Sequence, residues 1–152
     1  MATSTNEHVV LLSVLPKYAD AIMSGTKTVE FRKCAINGGT GNMVVYSSSP
    51  RKKVVGYLEI GKVDLAKPST LWKRYWRSGG IDEVAFFKYY EGCATGACHV
   101  IYKVWRLDKP VAITKVGSRL RAPQSFLYLT PKQWDKIRGS SASLVLDQTH
   151  TT

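Results

Sequence analysis

Runs and alternations of apolar residues predict several strands along the chain. Residues 8–14 and 42–47 are apolar runs of strand length, whereas residues 53–63 and 97–107 carry apolar and polar positions in a longer alternating pattern. Glycines interrupt the third of these strands, and glycines inside a strand usually mark bulges or bends. Such bends are typical of the corners of small barrels.

Helical spacing of apolar residues occurs between these strands. Pro16 suits the first turn of a helix, and Gly25 supplies the left-handed residue that ends it. Residues 69–77 and 82–90 predict two further helices, and Pro131 opens a last one. The pattern therefore predicts short helices between the strands.

The chain is expected to form one domain with flexible ends. A length of 152 residues fits a single domain, and 44% apolar residues are enough for a core. Residues 1–7 are expected to be a flexible N-terminus, residues 8–138 the folded domain, and residues 139–152 a polar, flexible C-terminal tail. No apolar run approaches the roughly 20 residues that span a bilayer. We therefore expect a cytoplasmic protein with no membrane partner.

The charge balance changes the functional expectation. The chain has 22 Lys and Arg residues against 11 Asp and Glu residues, a formal net charge of +11. An excess of this size is typical of proteins with a polyanionic partner, above all nucleic acid. An anionic small ligand, or a solvated basic surface with no such role, is the alternative.

The cysteines predict neither disulfides nor a metal site. Three cysteines, Cys34, Cys93 and Cys98, do not form a disulfide framework. Cys93 and Cys98 precede His99, but the sequence lacks the second Cys/His cluster that would complete four zinc ligands. We therefore predict no metal and no cofactor.

The strand that follows Gly25 carries the strongest candidate chemistry. Alternation along this strand sends Glu30 and Arg32 to one face, and sends Val29 and Phe31 to the other as filling of the fold. A simple alternative is a surface ion pair between Glu30 and Arg32, worth about 0 to 1 kcal/mol.

Lys27 lies just before this strand and adds a second cation. Burial beside Arg32 would favour its neutral amine, which could act as a general base. Glu30 opposes that effect because it stabilises the ammonium. In that case Lys27 and Arg32 would form an anion clamp that Glu30 orients.

A polar turn between two predicted strands is a second candidate contact for phosphate. Three serines are followed by three cations within seven residues, and hydroxyl donors next to cations suit a phosphate. A solvated hairpin turn is the alternative. The candidate residues are Ser48, Ser49, Arg51 and Lys52.

Aromatic and basic residues interleave between residues 68 and 90. Single-stranded nucleic acid platforms typically combine aromatic rings, on which bases stack, with cations that contact phosphates. Rings at helical spacing, however, more often belong to a core. Trp76 and Tyr90 are the rings expected to be exposed. Gln124 is a candidate for reading a base through its amide.

The order of these segments resembles the ASCH domain family of the PUA-like superfamily. The pattern Gly25-x-Lys27-x-x-Glu30-x-Arg32, after a short helix and at the start of a strand, resembles the ASCH signature. The resemblance extends over about residues 8–134. Its further segments are residues 46–50, 55–56, 78–81, 86–90 and 123–126, with Trp72.

The resemblance implies an α+β fold, a small PUA-like β-barrel of about five to six strands with peripheral helices covering the barrel ends. It also implies a cleft near residues 25–32 and a role with RNA or modified nucleobases. Some ASCH branches resemble hydrolases: one resembles an amidohydrolase for acylated cytidine that uses a Lys, a Thr and a Glu, and another is implied to be a ribonuclease. Glu30 occupies the position where the amidohydrolase branch has its Thr nucleophile.

Three classes of function follow. We favour a module that binds RNA or a nucleotide, single-stranded or with a modified base, in a basic cleft. The alternatives are a hydrolase of RNA or of an acylated cytidine nucleoside, with Lys27 as base and Glu30 as acid or base, and a protein interaction module. The sequence gives no indication of the oligomeric state.

Overall fold

The described residues, 9–36 and 41–149 of a computed structural model, form a seven-stranded sheet and five helices. The strands are β1 (Val9–Val14), β2 (Val29–Arg32), β3 (Gly41–Ser47), β4 (Lys53–Ala66), β5 (Gly96–Val111), β6 (Phe126–Leu129) and β7 (Ala142–Asp147). The helices are α1 (Pro16–Met23), α2 (Pro68–Tyr75), α3 (Glu83–Tyr89), α4 (Ile113–Val116) and α5 (Pro131–Arg138).

The strand order is β2-β5-β4-β3-β1-β6, and β7 pairs with β5 on the edge opposite β4. Only β1 and β3 are parallel among the described pairs. The long strand β5 pairs with β2 near its start and with β7 nearer its end. The α+β class is therefore confirmed. The barrel description is loose, since the described sheet has seven strands and its hydrogen bonding ends at β2 and β6 without closing a ring.

Local sequence explains where three of the helices begin or end. Pro16 lies in the first turn of α1, and Gly25 adopts a φ of +81° just after the helix, as the sequence predicts. Thr130 and Gln133 form a capping box that fixes the start of α5. The Asp82 side chain accepts a hydrogen bond from the Ala85 N–H and begins α3.

Three buried apolar clusters support the sheet. The first lies between α1 and the central strands, and the second packs β1, β3 and β6 against α4 and α5. Val29 and Phe31 belong to the third, with Leu71 of α2 and Phe86 of α3. The two residues are buried as predicted, but they fill the space under α2 and α3 and are not part of the central cluster.

The C-terminal part of the chain corrects one prediction. Residues 139–152 were expected to be a flexible tail, but β7 pairs with β5 from Lys103 to Leu107. Val145 and Leu146 also pack against the central apolar cluster. The predicted flexible N-terminus, residues 1–7, lies outside the described residues, as do residues 37–40. In the described part of the chain, none of the helices has the length and apolar character to cross a membrane.

Candidate functional site

A cavity of about 300 Å³ lies where β2 faces the end of β1, between α1 and α3. We call this cavity the seam cleft because Arg32, which lines it, lies on β2 and reaches the residue before β6, and these two strands are the ends of the strand order. Arg32 connects the two ends: its guanidinium donates to the Ser13 carbonyl oxygen on β1 and to the Ser125 hydroxyl just before β6, each at 3.3 Å. The seam cleft is lined by Ser13, Val14, Leu15, Tyr18, Lys27, Glu30, Phe31, Arg32, Ile81, Ala85, Phe86 and Tyr89.

Three charged side chains meet on the wall of the seam cleft. Glu30 Oε2 accepts from Arg32 Nε at 3.0 Å and lies 2.8 Å from Arg32 Nη2, which is a bidentate contact to one oxygen. Glu30 Oε1 lies 3.5 Å from Lys27 Nζ. The three side chains are between 4% and 13% exposed. Two cations on one carboxylate leave a formal charge of +1 in a buried site, which favours an anion beside them.

Lys27 is held from several sides. Its ammonium donates to the Gly79 carbonyl oxygen, and it lies 5.5 Å from the ring centroids of both Tyr18 and Phe31. A Cβ on Gly79 would come within 2.5 Å of the Phe31 ring, so only glycine allows this approach. The Lys27 ammonium is therefore fixed in position before any ligand arrives.

His99 supports Glu30 from behind. The buried imidazole accepts at Nε2 from the Ile36 N–H at 3.1 Å, so the proton belongs on Nδ1, which donates to the Glu30 carbonyl oxygen at 3.2 Å. Burial lowers the pKa of His99 below its ordinary value, and the neutral ring matches this pair of hydrogen bonds. His99 therefore fixes the backbone at Glu30.

Tyr89, the last residue of α3, and Tyr90, which follows it, differ in exposure. Tyr89 lines the seam cleft and is 38% exposed, and burial of its phenol raises the Tyr89 pKa, so the hydroxyl stays protonated. Tyr90, predicted to be exposed, is buried instead. Its hydroxyl donates to the Arg32 carbonyl oxygen at 2.8 Å. The prediction for Tyr90 is wrong because this ring faces β2.

The polar turn predicted as a phosphate contact lies outside the seam cleft. The Ser48 N–H donates to the Val14 carbonyl oxygen, and Ser48 in turn accepts from the Arg51 N–H. The Arg51 guanidinium pairs with Asp20 of α1. Ser49 and Lys52 are exposed. The turn is attached to the β1 end of the seam cleft, but its side chains are not part of the lining.

Trp76 and Gln124 are also outside the lining of the seam cleft. Trp76 is 49% exposed, as predicted, and the Arg77 guanidinium lies 5.1 Å from its ring centroid. Gln124 is exposed and precedes Ser125, which contacts Arg32. Of the nine predicted site residues, the structure brings together Lys27, Glu30 and Arg32.

The sequence did not point to several residues that build the site. Ser13 and Ser125 contact Arg32 from sequence positions far from it, and Gly79 accepts from Lys27. The consecutive glycines at residues 79–80 are the sequence feature that marks the turn where Gly79 contacts Lys27. The sequence places His99 on the predicted strand of residues 97–107 and next to Cys98, but it assigns His99 no role in the site.

Among the described residues, no three His, Cys, Asp or Glu side chains are grouped as metal ligands. Both ring nitrogens of His99 are engaged in hydrogen bonds within the protein. Burial raises the pKa of Cys98 to about 12, so this thiol stays protonated.

Comparison with known proteins gives consistent results. The model of the ASCH domain family matches residues 12–110. An ASCH domain-containing ribonuclease from Zymomonas mobilis is 27% identical to this chain over 133 residues, which are 84% of this chain and 88% of that protein.

Solved structures share the fold. The crystal structure of ASCH from Zymomonas mobilis has a TM-score of 0.82 at 25% identity, and the match covers 91% of this chain and 98% of that one. The N-terminal domain of Staphylothermus marinus McrB has a TM-score of 0.56 at 12% identity, covering 86% of this chain and 93% of that one. The second likeness concerns the fold alone.

Proposed function

The chain belongs to the ASCH domain family, and from this membership and the geometry of the seam cleft we propose that it binds single-stranded RNA. One nucleotide enters the seam cleft. Its phosphate contacts Lys27 and Arg32, and its base lies against the aromatic wall.

The main support for this proposal is that two fixed cations and two partly exposed aromatic rings lie around one cavity. Lys27 and Arg32 are already oriented by Glu30, so little side-chain entropy is lost when an anion binds. Tyr18 and Tyr89 are the partly exposed rings of the lining, and bases stack on such rings. Cations together with rings fit a nucleotide better than a simple anion.

The net charge of +11 supports this proposal because it attracts RNA over a longer range than the seam cleft does. Exposed cations attract a polyanion and increase its association rate, whereas the seam cleft provides contacts to one nucleotide. The turn with Ser48, Ser49, Arg51 and Lys52, together with Trp76 and Gln124, then contacts the flanking RNA. Arg51 reaches RNA only if it leaves Asp20.

Tyr89→Leu tests the aromatic wall, with Phe87→Leu as its matched control. Both rings lie on α3 and are 38% exposed, but only Tyr89 lines the seam cleft. Loss of a stacking ring costs about 1 to 3 kcal/mol per base. We therefore expect Tyr89→Leu, and not Phe87→Leu, to weaken binding of a labelled single-stranded RNA in fluorescence anisotropy. An equal effect of both variants would contradict the proposed cleft.

Cleavage of the bound RNA is a second candidate function. It is favoured by the ribonuclease named among the relatives and by a carboxylate that lies between two cations. In this reaction Glu30 accepts the proton of a ribose 2′-hydroxyl, whose oxygen attacks the neighbouring phosphorus. Arg32 stabilises the charge of the phosphorane, and Lys27 donates a proton to the 5′-oxygen as its bond to phosphorus breaks. The products are a 2′,3′-cyclic phosphate and a 5′-hydroxyl.

Mass analysis of the RNA products tests the cleavage candidate. A 2′-deoxy substitution at the cleaved position should abolish product, and Glu30→Gln should reduce the rate by about a hundredfold, the usual contribution of a positioned acid or base. Glu59→Gln, on β4 and outside the seam cleft, is the control. Intact RNA with the wild-type protein, or equal rates for the two variants, would contradict cleavage by this site while leaving RNA binding standing.

A further inference from the structure

A second cationic surface lies at the corner where α4 and α5 meet. Two neighbouring cavities of about 260 and 460 Å³ share Val116 and Lys136. We call them together the basic groove. Its cations are Lys115 of α4, Arg119 of the following segment, and Lys132 and Lys136 of α5.

These four cations have no acidic neighbour in the groove. No carboxylate lines either cavity, and none of the ion pairs among the described residues includes Lys115, Arg119, Lys132 or Lys136. Asp135, also on α5, pairs with Arg138. Like charges around one groove repel one another, and an anion with several charged groups relieves that repulsion.

The lining of the basic groove favours a nucleic acid backbone over a protein surface. Val116 and Ile137 are buried, and the exposed large apolar side chains of the described chain all lie elsewhere. Protein interfaces depend on apolar or aromatic anchors in their centre. Ser118 and Thr130 add hydroxyl groups, which together with Lys and Arg are the usual contacts to phosphate.

Strand β6 connects the basic groove to the seam cleft. The residue before β6 is Ser125, which contacts Arg32, and the residue after it is Thr130, which lines the basic groove. Five residues of extended chain span about 17 Å, which corresponds to about five nucleotides of a stacked strand at roughly 3.4 Å each. Tyr128 lies on this strand and is 53% exposed, as suits a ring that stacks on a base.

We propose that the basic groove holds the phosphates of the same RNA strand that places a nucleotide in the seam cleft, with β6 as the path between them. This inference rests on the proposed function. The basic groove contacts backbone and not base edges, so it contributes affinity without sequence preference. An RNA that is too short to reach from the seam cleft to the basic groove gains no affinity from the groove.

The test removes three cations from the basic groove and compares RNA lengths. The groove variant is Arg119→Ala/Lys132→Ala/Lys136→Ala, and the control variant is Lys62→Ala/Lys67→Ala/Lys109→Ala, which removes the same charge from exposed positions outside both sites. Anisotropy measures binding of single-stranded RNAs of about three and about twelve nucleotides, lengths within and beyond a minimal site. Circular dichroism checks that both variants are folded.

The groove variant should bind the longer RNA about tenfold more weakly, with a salt slope smaller by about two, since each phosphate contact on a single strand contributes about 0.7. Its affinity for the short RNA should stay unchanged, as should both affinities of the control variant. An equal loss in the two variants, or no loss in either, would overturn the groove while RNA binding stands. A wild-type protein that binds neither RNA would overturn both proposals.

A poly-glutamate peptide separates RNA from an acidic protein partner. We expect the wild type to bind this peptide much more weakly than the longer RNA. Tighter binding of the peptide than of the longer RNA, lost in the groove variant, would assign the groove to an acidic protein and overturn the proposal.

Discussion

Glu30 is the residue on which the charged wall of the seam cleft depends. One of its carboxylate oxygens contacts Arg32 and the other faces Lys27, and the group is nearly buried. Without this carboxylate, two cations would be close together in a medium that screens charge poorly. Glu30 therefore makes it possible to keep both cations at one cavity, whether or not it also takes part in a reaction.

Glu30→Gln should lower the free energy of unfolding by about 3 kcal/mol, the cost of leaving a buried charge without its partner. Asp135→Asn, which removes the exposed pair with Arg138, should cost less than about 1 kcal/mol. Urea denaturation of the two variants measures both values. Similar values for the two variants would show that the Glu30 network does not stabilise the fold.

His99 makes stability depend on pH. Its folded-state pKa is lowered by burial, so below the ordinary value of 6.5 the unfolded chain takes up a proton that the folded chain does not. The wild type should lose up to about 1.4 kcal/mol per pH unit from this group as pH falls below 6.5. Gln in place of His99 can donate and accept at similar positions without titrating.

The measurement is urea denaturation of wild type and His99→Gln at pH values from about 7.5 to about 5, around the ordinary histidine value. The wild type should lose stability more steeply than His99→Gln over this range. Parallel curves would show that His99 takes up its proton equally in the folded and unfolded chains.

At the scale of elements, the seam cleft is assembled by the turn between α2 and α3. The Thr28 N–H donates to the Ser78 carbonyl oxygen, and Lys27 donates to the Gly79 carbonyl oxygen. Gly80 has a φ of +62° and lies against the Lys27 side chain. This turn therefore positions the ammonium although it is distant in sequence.

Gly79→Ala should disturb the seam cleft, because its Cβ would meet the Phe31 ring at 2.5 Å. Overpacking of this kind costs about 1 to 3 kcal/mol. The displaced carbonyl should also release Lys27 and weaken RNA binding. Ser78→Ala, which keeps the backbone contact to Thr28, is the control. Unchanged stability and binding in Gly79→Ala would contradict this role of the turn.

Strand β7 makes the C-terminal residues part of the fold. Leu146→Ala should cost about 2 kcal/mol, reduced from a fully buried leucine because the side chain is only partly buried against the central cluster. Leu144→Ala, at a 50% exposed position of the same strand, should be nearly neutral. Thermal unfolding compares the two. Equal melting temperatures of both variants and the wild type would indicate that β7 does not stabilise the sheet.

The elements were predictable where a local signal existed. Pro16 and Gly25 mark the limits of α1, and the alternation after Gly25 predicts β2 with its two faces. Strand β7 is absent from the prediction because its apolar run, residues 144–146, is short and lies among small and polar residues, and because its pairing with β5 is a long-range contact. The contacts of Arg32 with Ser13 and Ser125 come from strand order, which no local pattern encodes.

At the scale of the whole molecule, the described sheet leaves a gap between its two end strands, and the candidate site lies at this gap. The described strand order ends at β2 and β6, and Arg32 joins these ends through side-chain contacts. Backbone hydrogen bonds would fill this space in a closed barrel. The open seam, together with the net charge of +11, places buried cations and a basic surface where the proposed RNA strand would bind.

Titration of single-stranded RNA with the wild type, Lys27→Met and Lys67→Met tests the central claim most directly. Lys67 is exposed and lies outside the seam cleft, so the two variants lose the same charge at different places. We predict that Lys27→Met weakens binding by about tenfold, as for loss of one charge-assisted contact, and that Lys67→Met changes it by less than about twofold. Equal affinities of Lys27→Met and Lys67→Met, or no RNA binding by the wild type at low salt, would contradict the account.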